Sequence, residues 1–123
     1  MLYAVIRYND KTFSEGQVNL DNIRAFSDDV GGEIAYEIVK SDISAFLGME
    51  NYSPADFVED VQDTIKWGID ELVLDVLENP LFPDNMDVEQ ERIFKSRFDN
   101  IEYEIKIKVD FSEYREEDKE DWI

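Results

Sequence analysis

From Ile101 to Phe111 the chain alternates without error, with Ile101, Tyr103, Ile105, Ile107, Val109 and Phe111 set against Glu102, Glu104, Lys106, Lys108 and Asp110. A period of two puts one side of a strand on a core and the other in water, as in antiparallel sheets. Leu2 to Tyr8 is β-rich and apolar on both faces apart from Arg7, which predicts a strand inside a sheet. "NDK" then turns the chain toward a second, weaker strand from Thr12 to Val18, with Gly16 as a bulge or bend.

After this the period changes. Leu20, Ile23, Phe26 and Val30 fit one helical face, which Gly31 and Gly32 are expected to end. Ile34, Ile38, Val39, Ile43, Phe46 and Leu47 resume the helical period as far as Gly48, a C-terminal glycine. "NYSPAD" writes a helix start, with Ser53 as N-cap, Pro54 at N1 and Asp56 at N3, a capping box with aspartate in place of glutamate. That helix is expected to run to Glu78 across Gly68, a residue costing on the order of 1 kcal/mol against alanine. "NPLFPDN" stops it. Asn85 or Asp87 could cap one more helix through "VEQERIFKSRF", on a rough stripe of Val88, Ile93, Phe94 and Phe98. The ending "EYREEDKEDWI" is charged, although Trp122 and Ile123 could pin it to the body.

Strands first, helices in the middle and a strand last predict one α+β domain over residues 1–123. The expected architecture is a small antiparallel sheet including the N- and C-terminal strands, packed with three to four helices on one face.

Charge changes this picture from architecture to chemistry. The 31 acidic and 12 basic residues give −19, well beyond the magnitude of roughly 2 to 8 that keeps a small domain soluble. A field of that sign repels nucleic acid and anionic membranes and draws in basic proteins, so the expected partner is a basic protein, with no direct nucleic acid and no membrane. Cysteine and histidine are absent, which removes disulfides, thiolate nucleophiles, Cys/His zinc sites and imidazole catalysis. A non-enzymatic protein without cofactor or metal is expected. Leu2 to Ile6 is too short an apolar run for a signal sequence, which points to the cytoplasm.

Two tempting motifs fail. "DNMDVEQERIF" has Met86, Val88 and Glu89 at the third, fifth and sixth positions of a calcium loop, where oxygen ligands and a glycine belong. Asp28, Asp29, Glu33 and Glu37 could share a helix face, but in so acidic a chain such clusters arise by chance.

The charge is regional. Residues 1–91 hold 21 acids and 5 bases, whereas residues 92–108 hold 3 acids and 5 bases. On the long helix, a turn of roughly 100° per residue places Asp56, Glu59, Asp60, Asp63, Asp70, Glu71, Asp75 and Glu78 within an arc of about 160°. Trp67 and Leu74 project near the middle of that arc, roughly 10.5 Å apart along the axis. Large apolar side chains rimmed by charge are how binding hot spots are built, so these ten residues form the candidate partner-binding set.

A small, cysteine-free, acidic domain with carboxylates in such rows resembles the nucleic-acid-mimicking inhibitors of phages and mobile elements, of the anti-restriction and anti-CRISPR type. The resemblance lies in size and charge. It implies a basic groove on a nuclease, or another nucleic-acid-binding protein, as the partner. A toxin-neutralising immunity protein and a generic protein-interaction or adaptor domain fit the same composition.

Overall fold

The two strands with the strongest patterns pair with each other at the centre of the sheet. The computed structural model describes residues 1–47 and 53–122. It contains β1 (Leu2–Tyr8), β2 (Lys11–Val18), α1 (Ile23–Ser41), α2 (Ile43–Leu47), α3 (Pro54–Leu77), β3 (Glu89–Phe98), β4 (Ile101–Asp110) and α4 (Glu116–Trp122). The strands form one antiparallel sheet in the order β2-β1-β4-β3. β1 therefore lies beside β4, with Ala4 opposite Val109 and Ile6 opposite Ile107. Asn9 and Asp10, at φ of 50° and 60°, make the tight turn between β1 and β2, a left-handed conformation that Asn and Asp tolerate well.

Alternation along β4 separates the two sides of the sheet. Ile101, Tyr103, Ile105, Ile107 and Val109 are buried, while Glu102 and Glu104 are exposed. α3 packs on the buried side. Its capping box is complete, for the Asp56 N–H donates to the Ser53 hydroxyl at 3.3 Å and the Ser53 N–H donates to the Asp56 carboxylate at 3.1 Å. Phe57, Val61, Ile65, Ile69, Leu72 and Val73 are fully buried along the helix. At Gly68 it presses close against side chains of the sheet. A Cβ there would stand 2.6 Å from Cδ1 of Ile107 and 3.1 Å from the Phe94 ring.

α1 corrects the first expectation. Gly31 and Gly32 do not end a helix; α1 continues through both to Ser41, where the Asp42 N–H bonds to the Ile38 carbonyl at 3.1 Å. The glycine that looked like a stop is a crossing point. A Cβ on Gly31 would fall 2.6 Å from Cγ and 2.7 Å from Cα of Gln62, so α1 and α3 touch there backbone to backbone. The apolar run beyond Ser41 does not extend this helix. α2 is a separate short turn whose Ile43 and Leu47 are exposed, as is Leu20 ahead of α1. Gly48, the Phe46 side chain and Ile123 lie outside the described residues.

The second correction is β3. Within "VEQERIFKSRF", Glu89–Phe98 form a strand, not a helix, in one unbroken register with β4 from Glu89 opposite Asp110 to Phe98 opposite Ile101. Asp99, at φ 55°, and Asn100 join the two as a hairpin. Phe94 and Phe98 turn inward, whereas Ile93 points the other way and is exposed. Polar Gln90, Arg92 and Ser96 share the inner side because this border strand is only half covered. At the end of the chain, Trp122 is buried and anchors α4.

Candidate protein-binding surface

The candidate residues lie on the outer side of α3, because its inner sides are taken by the sheet and α1. Trp67 is 62% exposed. Its neighbours one turn away in each direction are Asp63, Thr64, Asp70 and Glu71. Leu74, the expected second anchor, is half-buried and packs against the core. The two are therefore not equivalent: Trp67 stands in water and Leu74 belongs in part to the body.

The carboxylates divide in the same way. Asp56 is spent in the capping box. Asp60 accepts a hydrogen bond from the Tyr103 hydroxyl at 2.6 Å, and the Thr64 hydroxyl lies 2.9 Å from that same oxygen of Tyr103. Asp63 pairs with Arg24 of α1 at 3.0 Å, Asp70 with Lys66 at 2.7 Å and Asp75 with Arg92 of β3 at 2.5 Å. Among the described residues, the side chains of Glu59, Glu71 and Glu78 have neither an ion pair nor a hydrogen bond, and all three are exposed. The eight-membered row is thus three bare glutamates beside five carboxylates that serve the fold.

Two titration shifts follow from these contacts. Burial first, and then the hydrogen bond to Asp60, raise the Tyr103 phenol well above its ordinary 10.0. The hydrogen bond to Asp63 raises the Arg24 guanidinium above its ordinary value.

The partners Arg24, Tyr103 and Arg92 were not foreseen as parts of this surface. Arg92 comes from the basic stretch of residues 92–108, which reaches the helix because β3 lies beside α3. A period of two across "EQERIFKSRF" would have placed it on the inner side of a strand.

No family model, curated protein or solved structure matches this chain.

What the surface can do follows from its chemistry. Among the described residues no three carboxylates converge as a cation site requires, and Asp28 of the acidic cluster on α1 is in an ion pair with Arg24. No helix among them is long and apolar enough to cross a membrane. The outer strip of α3 presents a large exposed aromatic side chain together with the uncompensated negative charge of Glu59, Glu71 and Glu78.

Proposed function

We propose that the protein is a non-enzymatic acidic inhibitor that binds the basic nucleic-acid-binding surface of a nuclease, in the manner of anti-CRISPR and anti-restriction DNA mimics. The observation that carries this reading is the exposure of Trp67 in the middle of the acidic side of α3. An indole left in water on a regular helix, with ample core available elsewhere, suits an anchor for a partner. The net charge of −19 would steer that partner, and Glu59, Glu71 and Glu78 would meet lysines or arginines that otherwise hold phosphates. Such a target is cytoplasmic, in the host if the gene belongs to a phage.

The test is capture on the immobilised protein from cells that carry its gene, at low and at high salt, followed by challenge with DNA or RNA. The proposal requires a nucleic-acid-binding protein that is released by salt and displaced by nucleic acid. A partner indifferent to both sinks it.

One observation favours a second reading. Asp56, Asp60, Asp63, Asp70 and Asp75 all hold α3 to other parts of the fold or to itself, so five of the eight acids in the row have a structural use. An adaptor domain, or an immunity protein against a basic toxin, would use Trp67 as its anchor without mimicking a phosphate row. Nucleic acid would then fail to compete with the captured partner.

A further inference from the structure

A different surface, independent of α3, points to a partner of another kind. Among the described residues β3 is a border of the sheet, with β4 as its only neighbouring strand. Its hairpin closes on the Phe98–Ile101 pair across a two-residue loop, so backbone groups of even-numbered residues turn toward β4. The bond from the Phe111 N–H to the Val88 carbonyl continues that pattern. The N–H and C=O groups of Glu89, Glu91, Ile93, Lys95 and Arg97 therefore face the open border. Among the described residues nothing from another element is hydrogen-bonded to them. The side chains at these five positions are all exposed and read Glu, Glu, Ile, Lys, Arg.

That order is self-complementary. We propose that β3 pairs with β3 of a second copy of this chain, antiparallel about a twofold axis through Ile93, joining two four-stranded sheets into one. Ile93, 53% exposed, then meets its counterpart at the axis. Glu91 faces Lys95 of the second copy and Glu89 faces Arg97, and the same pairs recur on the other side of the axis. Moving the axis by one residue in either direction sets Ile93 against Glu91 or Lys95, so the charges specify the register. Lys95 and Arg97 have no carboxylate partner among the described residues, while Glu91 and Glu89 reach Lys106 and Lys108 only at 3.8 Å and 3.9 Å.

The other border is built differently. In β2 the register slips at Ile6 and Arg7, leaving Phe13 as an extra residue, and such a bulge discourages pairing with another chain. Residues 92–108, with 5 bases and 3 acids, also make up the least negative stretch of the chain, where two molecules of charge −19 can best approach. An isologous junction closes on itself, giving a dimer rather than a fibre. Both copies of α3 fall on the same side of the joined sheet.

The test is the mass in solution by light scattering or sedimentation as concentration rises at physiological salt. The expected result is a shift from the 14.5 kDa chain to twice that mass. Ile93→Pro removes the central border N–H without taking a bond from β4, and should leave a folded monomer at every concentration. Two charge reversals, Glu89→Lys with Glu91→Lys and Lys95→Glu with Arg97→Glu, should each weaken self-association at least about tenfold through like-charge pairs. Mixed together, the two reversed chains are complementary and should form a heterodimer. Wild-type chain that keeps its single-chain mass up to its solubility limit overturns the proposal. So does a dimer that survives Ile93→Pro and both reversals, since its junction lies elsewhere.

Discussion

On the inner sides of α3 there is no room for one more methyl group, as Gln62 meets Gly31 and as Gly68 meets Ile107 and Phe94, whereas on the outer side an entire indole stands in water. The two sides belong to one helix and differ in what its neighbours demand. Close packing dictates residue identity on the inner sides, to the point of requiring glycine in a helix. On the outer side five carboxylates serve the fold, but no close packing dictates the exposed Trp67, which asks for an explanation from outside it. Each of the following substitutions probes whether that division holds.

The largest effect is expected at the crossing of α1 and α3. Gly31→Ala gains about 1 kcal/mol of helix propensity. Its new Cβ, however, meets the Gln62 backbone, which cannot rotate away as a side-chain tip can. The helices must separate, and a net loss of about 2 kcal/mol is expected in urea unfolding. Unchanged or increased stability would show that the inner seam tolerates what the geometry forbids.

Next comes the margin between the two sides, where Tyr103 reaches from β4 to Asp60. Tyr103→Phe deletes a hydrogen bond to a carboxylate and should cost about 1.5 kcal/mol at neutral pH. The same residue gives the fold an alkaline limit. Its phenol titrates higher folded than unfolded, so its contribution is complete below the ordinary 10.0 and fades as pH rises through the raised folded value. Melting temperature should therefore decline as pH rises above 10.0 toward that raised value in the wild type, and less steeply in Tyr103→Phe. Equal slopes would mean that the Asp60 contact does not select the neutral phenol.

Gly32→Ala is the control for the neighbouring glycine and has the opposite sign. Among the described residues a Cβ at Gly32 meets nothing within 4 Å, so only the propensity gain of about 0.5–1 kcal/mol remains. The adjacent pair also shows what the sequence could and could not convey. "GG" in a helical pattern is a reasonable stop by local rules, and only the partner helix reveals that one glycine is a contact and the other a passenger. The capping box at Ser53 and the alternation of β4 were legible because each is satisfied within a few residues. β3 was not, since its inner positions mix Phe94 and Phe98 with Gln90, Arg92 and Ser96 on a half-covered border, which blurs the period of two. In the candidate surface, the shared arc of acids was readable from spacing alone. The ion pairs that neutralise Asp63 and Asp75 come from α1 and β3, and Leu74 packs against the core, so none of these was visible along α3 itself.

The smallest expected change in stability is at Trp67, and it is the most informative about function. Truncating a buried tryptophan costs roughly 3–5 kcal/mol, because a large cavity opens. At 62% exposure no such cavity forms, and Trp67→Ala should stay within about 0.5 kcal/mol of the wild type in the same unfolding experiment. Its effect belongs in binding, where loss of a central aromatic anchor commonly weakens a complex by 2 kcal/mol or more, about thirtyfold. Glu71→Gln, one turn along the same strip, should instead weaken binding modestly and reduce its salt dependence, since a rim charge governs encounter more than residence. A Trp67→Ala protein that binds its partner as before while unfolding more easily would reverse the assignment, making the indole part of the body and moving the contact surface off α3.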